Sequence, residues 1–212
     1  MEKNLTDKQL NKLNSGREYR SMVMEAKVDD ADSMIVEGYA TTFNEPYTLY
    51  SSRYYTIKEQ IDPGAFKDCD MDDVIMQYDH AGRVFARNKN GTLTLSVDSR
   101  GLKIRADLSG TEIGKQLYEE IKGGYTDKMS FGFMVSEDKQ ETTTDHDSDH
   151  ETILRTITKI SKLYDVSAVS IPANDMTSIS ARRYADGVID GMNAEKAERA
   201  KKRLALMLEL NK

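Results

Sequence analysis

The chain has 212 residues, a net charge of −6, 38% hydrophobic and 31% charged residues, which suits one soluble domain with polar extensions. The negative charge, with the one dense basic run at 196–203 interleaved by acids, argues against a nucleic-acid partner. No apolar run is long enough to span a bilayer and Met1-Glu2-Lys3-Asn4 is polar, so the expectation is no membrane and action in a cytoplasm.

In chain order, residues 1–19 read as a polar N-terminal arm, and residues 21–28 as a strand that pairs with a second at 34–40. A strand at 54–61 ends at the turn Asp62-Pro63-Gly64, and another at 74–78 ends at Asp79-His80. Asn88-Lys89-Asn90-Gly91 and Asp98-Ser99-Arg100-Gly101 are turns that frame a hairpin of strands 92–97 and 102–108. Ser109 and Glu112 fit a capping box for a helix whose stripe is Ile113, Leu117 and Ile121 and whose stop is Gly123-Gly124. A strand at 128–135 follows, then a long polar loop at 136–151, and strands at 152–163 and 164–171 stopped by Pro172. Residues 176–191 read as a linker and 194–210 as an amphipathic helix with Ala197, Ala200, Leu204 and Met207 on one side. That stripe needs a partner, either the domain body or another chain. The domain division is therefore 1–19 arm, 20–175 protein core, 176–212 linker and C-terminal helix. The fold class is α+β, mostly antiparallel and β-barrel-like, with few helices.

The chemistry concentrates in Lys128-Met129-Ser130-Phe131-Gly132-Phe133. Alternation sets Phe131 and Phe133 on one face and Ser130 and Gly132 on the other, and the missing Gly132 side chain leaves space beside the hydroxyl. A serine nucleophile needs a base and a group to orient it. Of three histidines, His146 and His150 lie in the hydrophilic stretch Thr144-Asp145-His146-Asp147-Ser148-Asp149-His150, whereas His80 ends an apolar strand. Asp165 is the one charged residue between Leu163 and Asn174, and a buried carboxylate there needs a partner such as an imidazole N–H. Taken alone, these residues fit a satisfied serine on a half-buried strand and an aspartate bonded to backbone N–H groups or an arginine better than they fit catalysis. Cys69, the sole cysteine, rules out an internal disulfide and a thiolate zinc cluster and reads as a small filler. The acidic run 68–73 lacks the glycine and terminal glutamate of a calcium loop. His146, Asp147 and His150 read as solvated loop rather than metal ligands.

The segments Glu37-Gly38-Tyr39-Ala40-Thr41-Thr42-Phe43, Gln60-Ile61-Asp62-Pro63-Gly64-Ala65-Phe66, Gln77-Tyr78-Asp79-His80, Arg100-Gly101-Leu102, Lys128-Met129-Ser130-Phe131-Gly132-Phe133 and Asp165-Val166-Ser167-Ala168-Val169-Ser170-Ile171-Pro172-Ala173 occur in this order. That ordered set resembles the prohead serine proteases of tailed bacteriophages, capsid-maturation enzymes related in fold to herpesvirus assemblin. The resemblance implies Ser130 as nucleophile, His80 as base and Asp165 as third member, with no metal or organic cofactor. Relatives often carry an acid directly after the histidine, where this chain has Ala81-Gly82. Assemblin uses a second histidine as third member, which keeps His146 and His150 in view. The implied substrates are the major capsid protein and its scaffolding segment, with self-cleavage and self-association. The implied location is the immature capsid in a host bacterial cytoplasm. Readings from other classes are a non-catalytic scaffold protein and a small-molecule esterase.

Overall fold

The computed structural model describes residues 17–23, 27–28, 33–145, 150–170 and 179–210. Its strands are β1 (Glu18–Val23), β2 (Lys27–Val28), β3 (Ile35–Thr42), β4 (Tyr47–Ser51), β5 (Tyr55–Ile61), β6 (Ile75–Tyr78), β7 (Ala81–Arg87), β8 (Leu93–Val97), β9 (Gly101–Asp107), β10 (Lys128–Asp145) and β11 (His150–Val169). Helix α1 (Glu112–Lys122) and helix α2 (Ile179–Leu210) complete the set. Among the described residues no helix is long and apolar enough to cross a membrane.

A seven-stranded sheet runs β1-β10-β11-β5-β4, with β6 also on β11 and β7 on β6; a four-stranded sheet runs β2-β3-β9-β8. Strand β11 organises the larger sheet. Its twenty residues pair antiparallel with β10 along one edge, and the other edge takes two parallel neighbours end to end. There β5 lies against Glu151–Ile157 and β6 against Asp165–Ala168. The core lies between the sheets and α1, with Val36, Ala40, Leu102, Ile104 and Leu117 facing Met76, Phe131, Phe133, Val166 and Ala168. Phe131 and Phe133 are fully buried and stack with ring centroids 4.4 Å apart, each worth roughly 2–3 kcal/mol of apolar burial.

The α+β class and the C-terminal helix hold, but the sheets are open rather than closed as a barrel. The expected pairing of 21–28 with 34–40 divides in two: β1 lies on β10 and only the short β2 lies on β3. The expected polar loop at 136–151 is mostly strand, because β10 and β11 extend as an arm whose β10 side is solvated on both faces. Polarity without a buried face hides a strand from pattern reading, although Thr142, Thr143 and Thr144 supply the β-branched residues that favour one. Strand β7 escaped for the same reason, since Ala81 to Val84 are exposed. The α1 cap is Thr111, whose hydroxyl accepts from the Gly114 N–H at 3.0 Å, and not Ser109, whose hydroxyl donates to Asp107. Residues 179–191, read as linker, are helical: Tyr184, Ala185, Val188, Ile189 and Met192 form a stripe that packs on Leu49, Ile57 and Ile153. Gly187 and Gly191 disguised that stripe, and beyond Met192 the described side chains of α2 are exposed.

Candidate active site

Three neighbouring strands bring the singled-out residues together. Ser130 on β10 sits opposite Ser167 on β11, Gly132 sits opposite Asp165, and β6 runs beside β11 so that its end delivers His80. Tyr78 pairs with Ala81, which makes Asp79 and His80 the two central residues of a tight hairpin. Both have positive φ, 49° and 56°, the sign that a type I′ two-residue hairpin turn demands at both centres. Neither is glycine, so each costs roughly 1–3 kcal/mol that the surroundings must offset.

The imidazole bridges the other two groups. His80 Nε2 lies 2.6 Å from Ser130 Oγ, and Nδ1 makes a short hydrogen bond to Asp165 Oδ1. Asp165 is buried, and its Oδ1 also accepts from the Ser167 hydroxyl at 2.8 Å. Gly132 provides the room for that carboxylate: a Cβ there would overlap Asp165 Oδ2 and lie 2.8 Å from Tyr19 Cε1. The Tyr19 ring covers His80 with centroids 4.3 Å apart.

Ser130 itself is fully buried, and its Oγ lies 2.9 Å from the backbone carbonyl of Arg20 on β1. A hydroxyl has one proton and a carbonyl only accepts, so the proton goes either to Arg20 O or to His80 Nε2. An imidazolium satisfies every pair at once: both ring nitrogens donate, and Ser130 donates to Arg20. A neutral imidazole with its proton on Nδ1 takes the Ser130 proton instead.

What holds β1 is a buried ionic cluster. Arg20 donates to Glu59 at 2.5 and 3.0 Å and to Glu18 at 2.6 Å. Arg155 donates to Glu59 at 2.8 Å and to Glu18 at 2.9 Å, pairs closely with Asp138, and lies 4.1 Å beneath the Tyr184 ring of α2. Tyr47 donates to Glu59 at 2.5 Å. Burial disfavours the charge on Glu59, but the Arg20 and Arg155 guanidiniums outweigh it and hold its carboxyl below the usual range. Burial likewise opposes the Arg20 charge, and Glu59 and Glu18 more than offset it.

The other candidates stand elsewhere. His146 lies outside the described residues. His150 begins β11, fifteen residues or ~50 Å along the strand from Asp165, and bonds Thr56 and the Arg53 carbonyl. Burial pushes the Cys69 thiol up to about 11, which makes it a poor nucleophile. Asp70 pairs with Lys162 and Asp73 with Arg87, and the described residues contain no cluster fit for a metal ion. Sequence reasoning missed Ser167, the Arg20 carbonyl and the Tyr19 ring. Ser167 was within reach, because it lies two residues from Asp165 on the same strand face. The other two depend on a pairing of β1 that nothing local encodes.

No curated protein and no solved structure matches this chain. The family model for caudovirus prohead serine protease matches residues 21–188, a span that holds Ser130, His80, Asp165 and every strand from β2 to β11. The chain belongs to the caudovirus prohead serine proteases.

Proposed function

We propose that the chain cleaves peptide bonds by acyl transfer from Ser130, with His80 as general base and Asp165 as the group that orients and stabilises the imidazolium. The observation that carries the reading is the hydrogen-bonded line from Asp165 through both nitrogens of His80 to Ser130. With Nδ1 occupied by the carboxylate, Nε2 keeps its lone pair for the serine proton. Ser130 Oγ then attacks the scissile carbonyl, His80 returns the proton to the leaving amine, and water repeats the sequence on the acyl-enzyme. No metal or organic cofactor takes part in these steps.

The substrates that follow from the family are the scaffolding segment or the capsid protein of the prohead, and the chain itself. Enclosure within the immature capsid supplies a high local concentration, so a modest intrinsic affinity suffices. The test is co-expression of the capsid protein with this chain, wild type beside Ser130→Ala, followed by intact-mass analysis. Loss of a terminal segment with wild type alone is the expected result. Identical masses from the two co-expressions, in particles that contain the chain, overturn the reading.

A further inference from the structure

A hairpin tip is an unusual mount for a catalytic base. Tips with two left-handed residues are exposed and lightly packed, whereas a base in acyl transfer must be held to within about half an ångström. The His80 side chain is covered by Tyr19 and bonded at both nitrogens, but the backbone that carries it is the turn itself. We infer that Asp79 is a positioning residue that locks the His80 tip to the end of β11, an inference that rests on His80 acting as base.

Three hydrogen bonds from this one residue make the lock. Asp79 Oδ1 accepts the Ser170 N–H at 2.9 Å, Oδ2 accepts the Ser170 hydroxyl at 2.8 Å, and the Asp79 N–H donates to the Ala168 carbonyl at 2.9 Å. Ala168 and Ser170 lie three and five residues past Asp165 on the same run of chain. The tip that carries the base is therefore fastened to the strand that carries the acid, and the two move as one body. The bonds to Ser170 are charge-assisted, which roughly doubles each relative to a neutral pair. Aspartate also suits the left-handed backbone that the turn imposes, and alanine does not. Sequence pattern alone shows Asp79 as a turn former; the bond to Ser170, ninety-one residues away, changes its meaning.

The experiment uses the full chain as wild type, Asp79→Ala, Asp79→Asn and Ser170→Ala, with two readouts. The first is the low-field proton resonance of His80 Nδ1–H bonded to Asp165, which needs no enzymatic activity. The second is the rate at which a fluorophosphonate labels Ser130, compared with the melting temperature of each variant. Asp79→Ala is expected to label on the order of 30-fold more slowly and to lose the low-field resonance, because displacement of a base by about 1 Å costs up to ~100-fold. Asparagine keeps one acceptor oxygen and the left-handed tolerance, so Asp79→Asn is expected within about 3-fold of wild type. Ser170→Ala, which keeps the backbone donor, is expected between them. A wild-type labelling rate or an intact resonance in Asp79→Ala overturns the inference. If Asp79→Ala does not fold, wild-type behaviour of Ser170→Ala does so. If the wild type is not labelled while the resonance follows the series, the positioning role stands and the acyl-transfer reading falls.

Discussion

Replacement of Glu59 by glutamine removes one negative charge from a fully buried site and leaves the shape intact. Glu59 accepts two hydrogen bonds from Arg20, one from Arg155 and one from Tyr47. An amide retains one acceptor oxygen and turns an NH₂ toward a guanidinium that can only donate. Breaking a buried ion pair from one side costs ~3–5 kcal/mol. The lower end applies here, because Arg20 keeps Glu18 and Arg155 keeps Glu18 and Asp138. A loss of about 3 kcal/mol, at a urea dependence of about 2 kcal/mol per molar, moves the unfolding midpoint down by about 1.5 M. The pH dependence has a definite sign. Glu59 has a depressed pKa when folded, so its contribution is complete above the unfolded carboxylate value of about 4.3 and fades as pH falls through the folded value. Urea titrations of wild type and Glu59→Gln between neutral and acid pH should show a constant gap that closes only below about pH 4. A neutral-pH gap under about 1 kcal/mol refutes the reasoning, as does a gap that persists unchanged in acid.

Gly132→Ala would drive a Cβ into Asp165 Oδ2 and against Tyr19, so the carboxylate must shift, and the expected result is a disturbed bond from Oδ1 to His80. Fluorophosphonate labelling should fall by about 100-fold with near-native circular dichroism, and labelling at the wild-type rate would show that the carboxylate accommodates the methyl. At the start of α1, Thr111→Ala should cost about 1 kcal/mol and Ser109→Ala less than half of that; thermal melts that rank them the other way would return the cap to Ser109.

The site was more legible than the scaffold around it, and the reason is chemical. Ser130 beside Gly132, and Asp165 alone in an apolar run, are contrasts that a one-dimensional pattern preserves. The hairpin of β8 and β9 was equally plain, because Gly91 and Gly101 punctuate alternating strands with one buried face. Where neither face or both faces of a strand meet solvent, the alternation vanishes; β7 and the outer half of β10 were lost in that way. The placement of β1 and β2 in different sheets depends on contacts of β1 with β10 more than a hundred positions later, information that no local window holds. The same distance hid the Arg20 carbonyl from any reading of the Ser130 neighbourhood.

Among the described residues, strand β11 comes last of the strands in chain order, and the larger sheet is assembled on it. Before it emerges from the ribosome, β5 and β6 lack the parallel partner that joins them, and His80 has no carboxylate opposite Nδ1. Parallel and long-range pairings also form late, since their loop-closure entropy precedes any compensating contact. A nascent chain shorter than about 165 residues, the position of Asp165, therefore carries Ser130 and His80 without the geometry that joins them. Emergence of Asp165 acts as a timer: the order in which the chain is made delays that geometry until the other strands of the larger sheet exist to receive it.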